Sequence, residues 1–322
     1  MTADRVELLI GDVEASPEAL ARLLDGWDGA ALGTLDRPIR FTGLGSSRYA
    51  AMVAATGLRA RGIAAWVDHP DDVRAGDGTL VAISASGATP EVVRAAGRQH
   101  GASGRVIAVT NRPVDSPLAA NADVVLALLA GDEASGIATR TYRATVATLG
   151  LLAGGMTGAG PSVDDLRPVV DALGAAIASR DQWLIEAADR LDGAPAIDVV
   201  SGAAELGIAE QAALMLREGP RLSATAHETS EWAHTAVYTA FPGHRLIALT
   251  GSPADAATVR TVAGRGGAAI SVGARAIDGV AQHIPVPSTA DRYARAIVTS
   301  VVAELLAAEL WRRTGAQERP AT

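Results

Sequence analysis

Short, mostly apolar runs alternate with helical patterns along the first half of the chain. Five of these runs have strand length: residues 40–43, 63–67, 80–83, 106–109 and 124–128. Amphipathic stretches beginning at Ser46 and at Val92 lie between them. Apolar strands separated by helices are typical of a parallel sheet buried on both faces. The pattern therefore predicts a doubly wound α/β unit.

One clear helix precedes this unit. Residues 16–18, Ser-Pro-Glu, have the composition of a helix start, and apolar residues follow at spacings of three and four up to Trp27. After the unit come a glycine-rich, turn-prone stretch at 154–161 and a helical stretch from Val163 to about Leu191. These two stretches separate the first unit from the rest of the chain.

The rest of the chain repeats the first unit. Residues 80–86 correspond to residues 246–252, and Gly45 with its helix corresponds to Gly202 with a helix that runs to Arg217. Further strands are predicted at 197–200, 246–249, 269–272 and 284–286. A duplicated α/β unit is the simplest explanation.

The strongest candidate for chemistry is the segment from Leu80 to Glu91. Its buried strand is followed at once by Ser84, Ser86 and Thr89, with Thr89 predicted as the N-cap of a helix that starts at Pro90. Free N–H groups and the helix dipole converge there, so the loop predicts an anion site. The chain contains no lysine, which excludes a Walker A motif and favours a phosphate monoester. The alternative is that the loop only caps the helix.

The two copies differ at this loop. Gly45-Ser46-Ser47 becomes Gly202-Ala203-Ala204, and Gly87 becomes Pro253, which removes a backbone donor. We therefore expect the phosphate site in the first copy, with the second copy acting as scaffold or lid.

Composition narrows the class of protein. The chain has 322 residues, 48% of them hydrophobic and 3% aromatic, and a formal net charge of −8. The negative charge argues against nucleic acid as a partner. The absence of cysteine excludes disulfides and thiolate chemistry. With no apolar signal segment and no apolar run of membrane-spanning length, we expect a cytoplasmic protein that does not bind membranes.

The order of motifs resembles the sugar isomerase (SIS) domain family. The residues that carry the resemblance are Gly43-Leu44-Gly45-Ser46-Ser47, then Ile83-Ser84-Ala85-Ser86-Gly87-Ala88-Thr89, then Ala108-Val109-Thr110-Asn111. The resemblance implies two tandem three-layer αβα SIS domains with parallel five-stranded, flavodoxin-like sheets. It also implies a homodimer, often with an active site shared between subunits.

The same resemblance implies domain limits and binding residues. The expected units are an N-terminal helical segment (1–29), a first, phosphate-binding SIS domain (30–160), a connecting helix (161–192), a second SIS domain (193–312) and a C-terminal tail (313–322). The residues expected to hold the substrate and its phosphate are Gly45, Ser46, Ser47, Ser84, Ala85, Ser86, Gly87, Thr89 and Glu133. Glu133 is equally compatible with an ordinary loop acid.

Two residues of the second half match the catalytic positions of the family. Glu218 ends the segment Leu214-Met215-Leu216-Arg217-Glu218, and His234 ends Glu231-Trp232-Ala233-His234. A carboxylate can move a proton between C1 and C2 of an open-chain sugar, and a histidine can open the ring or protonate a leaving amine. Glu218 could also be an ordinary solvated helix end. The pair of His227 and His234 with nearby acids resembles a metal site only superficially, and no metal or other cofactor is expected.

Departures from the family limit the chemistry. The lysines that glucosamine-6-phosphate synthase uses in its isomerase domain have no counterpart, so a Schiff base with a ketose cannot form. Glutamine-dependent synthesis is likewise not expected, because no cysteine glutaminase is present. Compatible activities are aldose–ketose isomerisation, deamination of an aminosugar phosphate and deglycation of a ketosamine phosphate. One alternative is a non-catalytic phosphosugar sensor. Another is a dinucleotide site made by Gly43-Leu44-Gly45 with Asp68, but Arg48 stands where the dinucleotide-binding fingerprint requires its third glycine.

Overall fold

Two five-stranded sheets form the framework of the computed structural model, which describes residues 2–29, 36–158, 160–287, 289 and 291–315. The expected domain limit at residue 30 and tail residues 316–322 lie outside the described residues. No helix within the described ranges combines the length and the apolar character needed to cross a bilayer.

The first sheet has the strand order β2-β1-β3-β4-β5, and every pair in it is parallel. Its strands are β1 (Ile39–Thr42), β2 (Ala65–Asp68), β3 (Thr79–Ile83), β4 (Arg105–Thr110) and β5 (Val124–Ala127). All five correspond to predicted runs. β1 and β3 are buried along their whole length, as expected for inner strands of a parallel sheet that is covered on both faces.

The second sheet repeats this topology, with the order β10-β9-β8-β6-β7. Its strands are β6 (Ile197–Ser201), β7 (Ala224–Glu228), β8 (Arg245–Leu249), β9 (Ala268–Gly273) and β10 (Gln282–Pro285). The prediction of two parallel five-stranded sheets with flanking helices is confirmed. Strand β7 was not predicted, because its sequence Ala-Thr-Ala-His-Glu has no apolar run and it lies at the sheet edge.

The helices are α1 (Thr2–Glu14), α2 (Ser16–Asp25), α3 (Ser46–Arg59), α4 (Pro90–His100), α5 (Arg140–Thr157), α6 (Val163–Ala178), α7 (Leu184–Leu191), α8 (Leu206–Glu218), α9 (Thr229–Trp232), α10 (Asp255–Gly264) and α11 (Arg292–Thr314). Two expectations need correction here. The stretch predicted as turns from residue 154 is helical to Thr157, because α5 ends only at Gly158 in a left-handed conformation. The connecting helix is two helices, α6 and α7, interrupted by a 3-10 turn at 179–182.

Helices α3, α5, α8 and α11 lie between the two sheets. One continuous apolar core contains their buried faces together with Phe41 and Ile83 of the first sheet and Val199 and Ile247 of the second. Helices α4 and α10 cover the outer faces, where they pack in separate apolar clusters. Each half is therefore a three-layer αβα unit, and the inner layers pack on each other.

Helices α3 and α8 cross in opposite directions at close range. A Cβ added at Gly207, near the start of α8, would lie 2.6 Å from the Tyr49 carbonyl oxygen in α3. At the other end, a Cβ added at Gly45 would lie 3.9 Å from Leu214 Cδ2. The end of α8 therefore reaches the start of α3, at the carboxyl edge of the first sheet.

Candidate functional site

The loop between β3 and α4 is organised by its own hydroxyl groups. Ser84 Oγ lies 2.8 Å from Thr89 Oγ1 and 3.4 Å from Ser86 Oγ. The Ala88 N–H donates to Ser86 Oγ at 3.2 Å. Thr89 occupies the N-cap position, as predicted, but its side chain makes no capping hydrogen bond. The first-turn N–H groups of α4 are thus not taken up by the cap side chain, and they suit an anion.

Gly87 gives this loop its shape. Its φ is +65°, and an added Cβ would lie 2.5 Å from Ser116 Cβ. The Ala85 carbonyl accepts hydrogen bonds from the Asn111 N–H at 3.1 Å and from Thr110 Oγ1 at 3.2 Å. The segment after β4 therefore holds the loop in place from behind.

The second predicted segment, residues 43–47, lies next to this loop. Strand β1 pairs with β3, and a Cβ added at Gly43 would lie 3.1 Å from the Ile83 carbonyl oxygen and 2.9 Å from Ser47 Cβ. Gly45 has φ +53° and leads directly into Ser46, the first residue of α3. The strand order reverses between β1 and β3, which is where open α/β sheets bind ligands. The two predicted binding segments therefore meet at the topological switch point.

Glu133 has the contacts of a structural residue. Its carboxylate accepts hydrogen bonds from the Thr139 N–H at 2.9 Å, from Thr139 Oγ1 at 3.1 Å and from the Thr141 N–H at 2.7 Å. Arg140 Nε lies 3.6 Å away. Glu133 thus caps the start of α5, and its role in lining the sugar site stays a prediction.

In the second unit, a carboxylate of the chain itself binds the N–H groups of the equivalent loop. Asp255, at the position of Thr89, accepts hydrogen bonds from the N–H groups of Gly251 and Ser252, both at 2.9 Å to Oδ2. Its other oxygen accepts a bond from Thr229 Oγ1 at 3.1 Å. A carboxylate of the chain therefore occupies the place where an anion would bind in this copy. The sequence already shows this difference, because Asp255 stands where the first copy has Thr89.

Glu218 is the last residue of α8 and is half-buried. Burial raises the pKa of its carboxyl group, while Arg221 and Arg217 act in the opposite direction. Glu218 Oε2 is buried without a hydrogen-bond partner among the described residues. Leu214, one turn earlier, faces Gly45, so Glu218 lies about 6 Å further along the helix axis, towards the carboxyl edge of the first sheet. A buried carboxyl with a raised pKa beside an anion site is suited to proton transfer.

His234 lies at a different edge of the molecule. Arg217 Nη1 donates to the Ala224 carbonyl at 2.7 Å, which places the end of α8 beside the start of β7. His234 follows α9, beyond the other end of β7, and is exposed. Five strand residues span about 16 Å. The structure therefore does not bring Glu218 and His234 together within one chain.

Arg48 was not predicted as a site residue. It follows Ser46-Ser47 in the first turn of α3, where a cation opposes the helix dipole and no acidic residue is present. Its Nη1 is buried without a hydrogen-bond partner in the described part of the chain. The sequence could have indicated a role for Arg48, because a basic residue in the first turn of a helix is unfavourable.

The residues around His227 form a buried network. His227 Nε2 lies 3.5 Å from Asp198 Oδ1, and Asp198 Oδ2 accepts from Trp232 Nε1 at 2.6 Å and contacts His244 Nε2 at 3.0 Å. Burial alone would raise the pKa of Asp198, but these hydrogen bonds outweigh it and hold the pKa well below its usual range. Within the described residues, no group of three or more His, Asp or Glu side chains is arranged to hold a metal ion. His227 is thus half-buried against Asp198 in the second unit, whereas His234 is exposed.

Comparison with known proteins gives these features a context. The family model described as "SIS domain" matches residues 37–154. The isomerizing glutamine–fructose-6-phosphate aminotransferase of Aeropyrum pernix is 32% identical over 189 residues, a match that covers 55% of this chain and 30% of that protein. The chain thus matches less than a third of that relative's length.

Solved structures agree on the fold. The C-terminal domain of glucosamine-fructose-6-phosphate aminotransferase from Francisella tularensis superposes with a TM-score of 0.81 at 16% identity, over 96% of both chains. The tagatose-6-phosphate ketose/aldose isomerase of Escherichia coli gives a TM-score of 0.80 at 18% identity, over 96% of this chain and 94% of that one. At these identities the similarity concerns the fold alone.

Proposed function

We propose that the chain is a phosphosugar aldose–ketose isomerase with Glu218 as its base, and the match of residues 37–154 to the family model described as "SIS domain" supports this. The observation that carries the proposal is the position of Glu218. Its buried carboxyl, with a raised pKa and an unpartnered oxygen, ends a helix that packs against the start of α3 beside the anion loop. The substrate class is a hexose or aminosugar phosphate.

The anion loop holds the phosphate in this proposal. The hydroxyl groups of Ser47, Ser84, Ser86 and Thr89 and the N–H groups at the start of α4 supply donors, and no cationic lysine is needed. The closure of the second copy by Asp255 supports one phosphate per chain. The phosphate then fixes the open-chain carbonyl end of the sugar near Glu218.

Glu218 moves one proton in the reaction. As a carboxylate it takes the proton from C2 of the open-chain aldose, while O1 gains a proton and an enediol forms. The acid then returns the proton to C1 as O2 loses its own, which gives the ketose. The chain has no lysine, so no imine between the protein and the substrate takes part. For a hexose phosphate, the double bond moves from C1–O1 to C2–O2, and no C–C or C–O single bond is broken.

The test separates binding from turnover. Wild type, Glu218→Gln and Ser86→Ala are assayed with a panel of hexose and hexosamine 6-phosphates, with ketose formation and ammonia release as readouts and binding by calorimetry. We expect Glu218→Gln to bind but not turn over, and Ser86→Ala to bind about tenfold more weakly, equivalent to ~1.4 kcal/mol. Ser252→Ala is the matched control, because Ser252 Oγ accepts from the Ala254 N–H at 3.3 Å in the equivalent loop. Unchanged turnover in Glu218→Gln would contradict the mechanism, and binding without turnover in wild type would favour a sensor.

His234 requires a second copy of the chain in this proposal. It cannot reach Glu218 across β7 in its own chain, and it lies near Tyr238 and Phe241, whose side chains are 79% and 46% exposed. Aromatic side chains are enriched at protein–protein interfaces. We therefore expect a dimer in which His234 of one chain serves the site of the other.

Mixing two inactive variants checks this arrangement. Glu218→Gln and His234→Gln chains, unfolded together in equal amounts and refolded, should recover about a quarter of wild-type activity, because about half of the dimers are mixed and each mixed dimer has one intact site of two. Each variant alone stays inactive. If the mixture also stays inactive while the dimers form, His234 does not act across the interface.

A further inference from the structure

The second unit contains a cavity of about 360 Å³ at the carboxyl edge of its sheet. The cavity lies over the ends of β8, β9 and β10 and is closed by the first turns of α8 and α11. Glu205, just after β6, and Gly251, just after β8, both line it. The strand order of this sheet reverses between β6 and β8, so the cavity lies at the second switch point of the molecule.

Charged and polar side chains that contact one another line the cavity wall. Glu205 is almost fully buried, and its Oε1 forms an ion pair with Arg295 Nη1. Arg295 Nη2 donates to the Thr289 carbonyl at 2.9 Å. A Cβ added at Gly251 would lie 3.1 Å from Glu205 Oε2, so the carboxylate lies against the loop backbone. Thr250 adds a hydroxyl group to the lining.

These groups favour a ligand with hydroxyl groups and no phosphate. The backbone donors of Gly251 and Ser252 are already bound to Asp255, so the loop does not offer them to an anion. Glu205 and Arg295 compensate each other's charge, and together they present carboxylate acceptors and guanidinium donors. The other cation of the lining, Arg275, is exposed, so solvent screens its charge. A volume of 360 Å³ is at the lower end of the range for small-molecule sites.

We propose that this cavity is a second small-molecule site, which binds an unphosphorylated polyhydroxylated compound of monosaccharide size. Its ligand differs in charge from that of the first unit, where the loop hydroxyls and the start of α4 accept a phosphate. The two copies of the duplicated unit have in this way acquired different ligands. The proposal does not depend on catalysis by Glu218.

Binding of D-glucose and D-fructose, followed by ligand-observed NMR, tests the proposal, with inorganic phosphate as the probe for the first site. Ala274→Trp obstructs the cavity from an exposed lining position, and Arg275→Ala removes the exposed guanidinium beside it. Ser84→Ala weakens the first site only. We expect at least one of the two sugars to bind wild type and Ser84→Ala equally at about 10 mM, and to bind Ala274→Trp at least about tenfold more weakly. Unfolding midpoints of all variants establish that they are folded.

Several results would overturn the proposal. They include the absence of binding by both sugars, sugar binding that Ala274→Trp and Arg275→Ala leave unchanged, and sugar binding that disappears in Ser84→Ala. Phosphate binding that persists in Ser84→Ala and is lost in Arg275→Ala would also contradict it, because the cavity would then be an anion site.

Discussion

Gly87 is the residue on which the anion loop depends most. A side chain there would be strained at φ +65° and would also meet Ser116 at 2.5 Å. We expect Gly87→Ala to abolish phosphosugar binding and to lower the free energy of unfolding by about 2 kcal/mol or more, measured by denaturant titration. The matched control is Gly62→Ala, since Gly62 has φ +74° with nothing within 4 Å of an added Cβ. It should show the conformational cost alone and keep binding, and equal behaviour of the two variants would contradict the role of Ser116.

The charge of Arg221 opposes the effect of burial on the pKa of Glu218. Burial raises the pKa of Glu218, and Arg221 is the largest influence that lowers it. A base must be ionised, so the proposed activity rises as pH increases through this pKa. In Arg221→Met the pKa should rise further, and the acidic limb of the kcat profile should move to higher pH. A shift to lower pH, or no shift at all, would mean that Glu218 is not the titrating base.

At the level of single residues, the sequence predicted side chains whose role depends on neighbours in the chain. Ser84, Ser86 and Thr89 could be placed because strand, loop and helix start are adjacent in sequence. Asp255 and Arg48 could not be placed in the same way. The first acts on N–H groups that only the folded loop gathers, and the second became notable through the burial of Nη1 without a partner.

Among the elements, the crossing of α3 and α8 joins the two halves of the candidate site. Gly207 permits the close approach, because an added Cβ would lie 2.6 Å from the Tyr49 carbonyl oxygen. We expect Gly207→Ala to push α8 away from α3 and to lower kcat at least about tenfold, with a smaller effect on phosphosugar binding, because the loop belongs to the first unit. Kinetics and calorimetry on the same preparation check this.

Gly174 provides the control for this element. It lies within α6 with nothing within 4 Å of an added Cβ. Gly174→Ala should therefore stabilise the protein by about 0.5–1 kcal/mol and leave kcat unchanged. If Gly207→Ala behaved in the same way, the helix crossing would not position Glu218.

Helices and strands were predictable where their burial produces a recognisable pattern of apolar residues in the sequence. The buried strands β3 and β8 appear as apolar runs, and the start of α2 has its own Ser-Pro-Glu signal. Strand β7 has no apolar run, because it lies at the sheet edge and most of its residues are only partly buried. Without this strand in the prediction, nothing in the sequence indicated that Glu218 and His234 lie apart. The helix crossing was equally hidden, since a small residue such as Gly207 has no distinctive pattern before its partner is known.

At the scale of the whole molecule, an ion pair is buried in the helical layer between the sheets. Arg143 of α5 pairs with Glu304 of α11, donates to Ser16 Oγ of α2 at 2.7 Å and contacts the Ile297 carbonyl at 3.3 Å. Both side chains are almost completely inaccessible to solvent. The pair thus connects α2 and α5 of the first half to α11, the last helix of the second half. A change in its charge should therefore affect the stability of the whole chain.

Burial raises the pKa of Glu304 to about 7, although Arg143 opposes the shift. Because the folded state binds this proton more tightly than the unfolded state, its contribution to stability is largest at acidic pH and is lost as pH rises through about 7. Denaturant titrations at pH 5.5 and pH 8 should therefore show a loss of stability in wild type that is absent or smaller in Glu304→Gln, whose side chain cannot ionise. If Glu304 were instead ionised throughout, Glu304→Gln would be less stable than wild type by a similar amount at both pH values, of the order of 3–5 kcal/mol as for a broken buried pair. The difference in the free energy of unfolding between wild type and Glu304→Gln depends on pH in the first case and not in the second. The measurement therefore distinguishes a neutral Glu304 from a permanent ion pair at the junction of the two halves.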